Sequence, residues 1–124
     1  LSNQLHSYVE SVALYGSRKI AVRLTGQDIN IKRLCHALRH HLGNYVASGD
    51  FRCTWFKTQT GYVLLVSGSR VVADVVAKFL AGYSDAFQEH QILYCGRGIN
   101  VFKQIVDQEM KGYDKTGRSY GATR

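Results

Sequence analysis

Apolar positions recur along this chain with two periods, about 3.6 residues in some stretches and about 2 in others. The clearest stretch runs from Asp28 to Leu42. Its apolar residues, Ile31, Leu34, Cys35, Leu38 and Leu42, fall on one stripe of an α-helix. Asp28 stands ahead of the run, where a carboxylate can accept the free N–H groups of a first turn. Gly43 comes just after it, where a left-handed cap residue is wanted. The opposite face carries Lys32, Arg33, His36, Arg39 and His40, so the helix has one apolar and one cationic side.

The other elements obey the same two periods. Leu5, Tyr8, Val9 and Val12 predict a short amphipathic helix that stops near Gly16. Arg18 to Thr25 alternates: Ile20, Val22 and Leu24 point one way, Lys19, Ala21 and Arg23 the other. That predicts a half-buried strand with a basic outer face. After the cationic helix, Gly49-Asp50 is a turn signal and Phe51 to Thr58 reads as a strand. Gln59-Thr60-Gly61 turns the chain into Tyr62 to Val66, apolar on both faces and so expected at the centre of a sheet. Ser69 can cap a helix with the stripe Val72, Val75, Val76, Phe79 and Leu80, ending at Gly82. Ala86 to Cys95 reads as a further strand. The turn Gly96-Arg97-Gly98 leads to a last helix with Ile99, Phe102, Val106 and Met110 inward.

The central order is therefore β-α-β-β-α-β with a helix at each end. It predicts an α+β fold, a ferredoxin-like sandwich with a four-stranded antiparallel sheet and an extra N-terminal and C-terminal helix. Residues 1–110 are expected to form a single domain. From Lys111 the apolar period stops, and residues 111–124 are expected to be a flexible basic tail, with Tyr113 and Tyr120 among its cations. A chain of 124 residues that is 45% hydrophobic and 20% charged can build a core of its own.

Charge changes the picture more than composition does. The formal net charge is +7, and between Arg18 and Arg52 there are seven Lys or Arg against two Asp. Clustered positive charge draws polyanions, which makes nucleic acid the leading partner. Cys35, Cys53 and Cys95 have neither zinc-finger spacing nor a pairing pattern. They are expected to be reduced core thiols, which points to a cytoplasmic or, in a eukaryote, nuclear setting. No run approaches the ~18 apolar residues of a membrane span, so no membrane partner is expected. The chain opens on Leu1 rather than Met and carries no signal-peptide pattern, which reads as a trimmed start.

Two short stretches resemble known families. His36-Ala37-Leu38-Arg39-His40 resembles the H-x-L-R-H box of tyrosine recombinases, in which His and Arg hold the scissile phosphate. The resemblance implies a nucleophilic Tyr downstream, for which Tyr94 is the candidate. The residues after the box read as strands where that family has helices. Gly61-Tyr62 and the apolar residues after it resemble the third strand of the RNA-recognition motif. That implies bases stacked on an open sheet, with Phe56, Tyr62 or Trp55 as candidate platforms. Most of that family's stacking pattern is missing, since the first strand offers Lys19, Ala21 and Arg23 and no ring.

Other constellations carry less. Gly68-Ser69-Arg70 and Gly96-Arg97-Gly98 each join a strand to a helix and could hold a phosphate, but neither is a P-loop or a dinucleotide fingerprint. His36 and His40 are four apart, as a helical metal pair would be, with no third ligand indicated. No carboxylate pair or Ser-His-Asp set stands out, so no catalysis, metal or cofactor is expected. The expected function is nucleic-acid binding, DNA or RNA, through the phosphate backbone. The contacting residues would be Arg18, Lys19, Arg23, Lys32, Arg33, His36, Arg39, His40, Arg52, Arg70 and Arg97. The alternative is an assembly module that forms a homodimer through the apolar stripes of its two terminal helices.

Overall fold

In a computed structural model of the protein, residues 3–111 and 120–123 are described. The elements are α1 (Asn3–Leu14), β1 (Arg18–Thr25), α2 (Ile31–Leu42), β2 (Phe51–Lys57), β3 (Gly61–Gly68), α3 (Arg70–Gly82), β4 (Glu89–Gly96), α4 (Ile99–Met110) and β5 (Tyr120–Thr123). A short 3-10 turn at Ser84–Ala86 takes the place expected for the start of β4. The strands form one antiparallel sheet in the order β4-β1-β3-β2-β5. Its first four strands with α2 and α3 are the ferredoxin-like sandwich that the apolar periods predict. β3 lies at the centre, as its two-sided apolar run requires.

The periods also assign the faces. Ile20, Val22 and Leu24 of β1, Cys53 and Trp55 of β2, and Leu64 and Val66 of β3 point to α2 and α3. There they meet Leu34, Leu38, Leu42, Val72, Val76 and Leu80. The alternate residues Ala21, Phe56, Val63 and Leu65 point the other way. Against them lie Leu5, Val9 and Val12 of α1 and Phe102, Val106 and Met110 of α4. The terminal helices thus spend their apolar stripes on their own sheet, which has helices on both faces. Ile99 departs from its stripe and is exposed.

The basic outer face expected of β1 is largely covered by α1 and α4, with Arg23 left partly exposed at its margin. Lys19 is only 2% exposed, and its Nζ reaches a single acceptor, the Gly16 carbonyl, at 3.5 Å. Gly16 itself adopts φ +68 and packs against the backbone of Gly68, so that the chain can leave α1 and enter β1 without a side chain in the way. Cys35 and Cys53 are buried thiols, but Cys95 is exposed on the edge strand rather than in the core.

The end of the chain also departs from expectation. Residues 112–119 of the expected tail lie outside the described residues. Tyr120–Thr123 forms β5 on the edge of β2, with Gly121 opposite Trp55. Two details make the pairing possible. The Thr54 hydroxyl donates to the Gly121 carbonyl, and the missing Cβ of Gly121 leaves room for the Trp55 indole.

Candidate nucleic-acid interface

The helix α2 is shaped by local chemistry at both ends. Its N-cap is Asn30, whose Oδ1 accepts from the Arg33 N–H at 3.1 Å, and not Asp28. The reason is the connection from β1. Gly26 and Asp28 both take positive φ, +155 and +58, which places helix entry two residues later than the sequence suggests. Asp28 is thereby released from capping and faces solvent. At the far end Gly43 is right-handed (φ −60), not left-handed; its N–H donates to the Arg39 carbonyl and the next N–H, of Asn44, to that of His41.

This leaves the cationic side of α2 free. Lys32, Arg33, His36, Arg39 and His40 are all exposed. Among the described residues the ion pairs are Arg23–Glu109 and Lys103–Glu10, so no carboxylate neutralises these five side chains. His36, Arg39 and His40 share a shallow hollow of about 340 Å³ with Gly43, Asn44 and Ser48. Arg33 reaches a different hollow of about 610 Å³, lined also by Asp28, Asn30, Tyr83 and Asp85.

The remaining expected contacts are dispersed. Arg18, Arg52, Arg70 and Arg97 belong to the end of the sheet where β1 and β2 begin and β3 and β4 finish. Arg70 and Arg97 are exposed. Arg18 is half-buried, with an unpartnered Nε. Arg52 lies over the Tyr15 ring, 3.9 Å from its centroid, and donates to the Gly49 and Phe51 carbonyls. Lys19 is buried under the terminal helices, and Arg23, with its side chain 36% exposed, is tied down to α4. Burial pushes the Lys19 amine below its ordinary pKa. Arg23 is held by Glu109 through two hydrogen bonds of 2.9 and 2.8 Å and by Gln91 through a third of 3.0 Å. The Glu109 hydrogen bond, opposed by burial and helped by its charge, raises the guanidinium above its ordinary value. These two cations are structural, contrary to their expected place in the interface.

Neither family resemblance gathers its implied residues. Tyr94 packs with α1 and α4 and donates to the Gly98 carbonyl at 3.2 Å, whereas His36 and Arg39 stand on α2 across the sheet. Phe56 is fully buried, and Trp55 is buried edge-on to Tyr62 at 5.6 Å. The described residues leave no open sheet face for bases to stack on. Among them, no group of three potential metal ligands gathers around His36 and His40. The hydrogen bond with Cys53 and burial hold the Cys35 thiol above its ordinary pKa, which favours the protonated form. No described helix is long and apolar enough to cross a membrane.

The periods miss a row of rings beside α2. Tyr45 meets His41 edge-on at 5.5 Å, His41 meets Phe79 of α3 at 5.4 Å, and Phe79 stacks on Tyr83 at 4.8 Å. Tyr45 is 56% exposed and the other three rings are half-buried. The row ends at Tyr83, in the wall of the hollow that Arg33 shares. The only signal for it in the sequence is an aromatic residue just after each of the two helices. No family model, curated protein or solved structure matches this chain.

Proposed function

We propose that this protein binds nucleic acid through the phosphate backbone, with α2 as the contacting element and no chemistry of its own. One observation carries the reading. Lys32, Arg33, His36, Arg39 and His40 stand exposed on one helix with no carboxylate partner among the described residues, while the opposite stripe of the same helix anchors it in the core. A cationic face rigidly held by its own core favours a polyanion, because little ordering entropy is lost on binding. Arg70, Arg97 and Arg18 extend the positive field at the end of the sheet toward which α2 runs. The buried Lys19 and the Glu109-bound Arg23 take no part, and Arg52 contributes charge from its perch on Tyr15.

The test is fluorescence anisotropy with labelled single-stranded DNA, duplex DNA and RNA across a salt series. Binding should weaken with salt. Arg33→Ala with Arg39→Ala should flatten the logarithmic salt slope by about 1.4–1.8, since each lost phosphate contact removes about 0.7–0.9. An unchanged slope in the double variant overturns the reading.

Self-association is the second reading, and it draws on β4. Among the described residues, the outer edge of this strand carries no partner strand, and its Ile92 is 43% exposed. Sizing at two protein concentrations separates it from the first.

A further inference from the structure

The hollow at the end of the ring row combines three features. The half-buried Tyr83, one of its lining residues, stacks on Phe79 at 4.8 Å. Its charges are Asp28, Asp85 and Arg33, all exposed. No ion pair within 4.0 Å joins the guanidinium to either carboxylate, although all three line one space of about 610 Å³. Asn30, Leu34, Gly82 and Ala86 complete its lining. A volume of this order suits a small organic ligand.

From this arrangement we infer that the hollow takes one unpaired nucleobase, and that the base is one with an exocyclic amino group. The inference rests on the nucleic-acid reading of α2 and names the form of nucleic acid that the same site takes. Each group answers a part of one nucleotide. Tyr83 offers a ring face to a base, as stacking platforms for single strands do. Asp28 and Asp85 are acceptors only, so they match N–H donors on a base edge and reject carbonyl oxygens. Arg33 stands on the cationic face of α2 and holds the attached phosphate.

Cytosine, adenine and guanine carry the amino donor; uracil and thymine offer only the ring N3–H, set between two carbonyl oxygens that the carboxylates repel. A duplex keeps its bases stacked and paired, so it cannot present one to the hollow without unpairing cost. The remaining rings, His41 and Tyr45, run away from the hollow along the junction of α2 and α3. They offer the neighbouring bases further places to lie while the phosphates track α2. The strand is thus read between two helices rather than on a sheet.

The experiment compares short oligocytidine, oligouridine and a duplex in anisotropy titrations of the full chain. The variants are Tyr83→Leu, Asp28→Asn with Asp85→Asn, and Arg33→Ala with Arg39→Ala. Leucine keeps the apolar packing on Phe79, and Asn tolerates the left-handed backbone at Asp28. Oligocytidine should bind tighter than oligouridine, and both tighter than duplex. Tyr83→Leu should weaken both single strands by about 5-fold or more, in line with the loss of one stacked base, and leave duplex unchanged. The double Asn variant should bring the cytidine-to-uridine ratio to one without altering the salt slope.

If duplex binds as tightly as single strands and Tyr83→Leu changes nothing, while the double arginine variant still flattens the salt slope, the hollow is not a base site and the backbone reading survives. If cytidine and uridine bind alike in the parent protein, the amino-group reading falls. If no polymer binds at all, both the inference and the reading beneath it fall.

Discussion

The two faces of the sheet are built from the same three strands and differ in kind. Toward α2 and α3, β1 sends Ile20, Val22 and Leu24, and the core there is aliphatic and aromatic with two thiols. Toward α1 and α4 the same strand sends Lys19, Ala21 and Arg23. That face buries Lys19, Thr54 and Ser67 and uses Glu109 of α4 to hold Arg23. Uncovered, the second face would offer two cations on β1 and the Phe56 ring two strands away on β2, the kind of platform single-stranded nucleic acid favours. The terminal helices turn it into core instead. The exposed cations lie on the solvent side of α2, beyond the other face, and, as Arg70 and Arg97, at the end of the sheet.

The largest effect that sharpens this contrast is on folding. If α4 is a true core element, Phe102→Ala should cost about 3–5 kcal/mol in urea unfolding, comparable with the about 2–5 expected for Leu38→Ala on the opposite face. A loss under about 1 kcal/mol would mean that α4 merely drapes the sheet.

Next comes the ion pair. Glu109→Ala leaves Arg23 without its carboxylate and should cost about 1–2 kcal/mol. That is less than for a wholly buried pair, because Arg23 still touches solvent. An unchanged urea midpoint would show that Gln91 and water hold Arg23 equally well.

The smallest effect has the opposite sign. Lys19→Met should stabilise by on the order of 1 kcal/mol at neutral pH, since an ammonium with one long hydrogen bond gives way to apolar contact. Burial depresses the folded pKa of Lys19 below its ordinary 10.5. Between those two values the unfolded chain binds more protons, so the parent's stability from this group rises with pH through that window and is flat below it. Urea midpoints measured across the window should show the rise in the parent protein and lose it in Lys19→Met.

Legibility in the sequence depends on the range of the interactions. The stripe of α2 and the two-sided apolar run of β3 are local patterns, and both are found in place. The alternation of β1 is equally clear, but Lys-Ala-Arg reads as a solvent face unless α4, some 86 residues from Arg23 to its partner, is known to lie over it. Asp28 and Asn30 are both good caps, and only the turn geometry imposed at Gly26 chooses between them. β5 has no apolar period; its place is set by a hydroxyl of Thr54 and the ring of Trp55 far upstream. Tyr45 and Tyr83 look like ordinary post-helix residues until α2 and α3 pack and bring His41 against Phe79.

The bond between Glu10 of α1 and Lys103 of α4 spans 93 residues of sequence. Closing so long a loop is entropically costly, and the cost is offset by the apolar packing of both helices on the same face of the sheet. The first and last helices of the fold are thus fastened to each other like a clasp across that face.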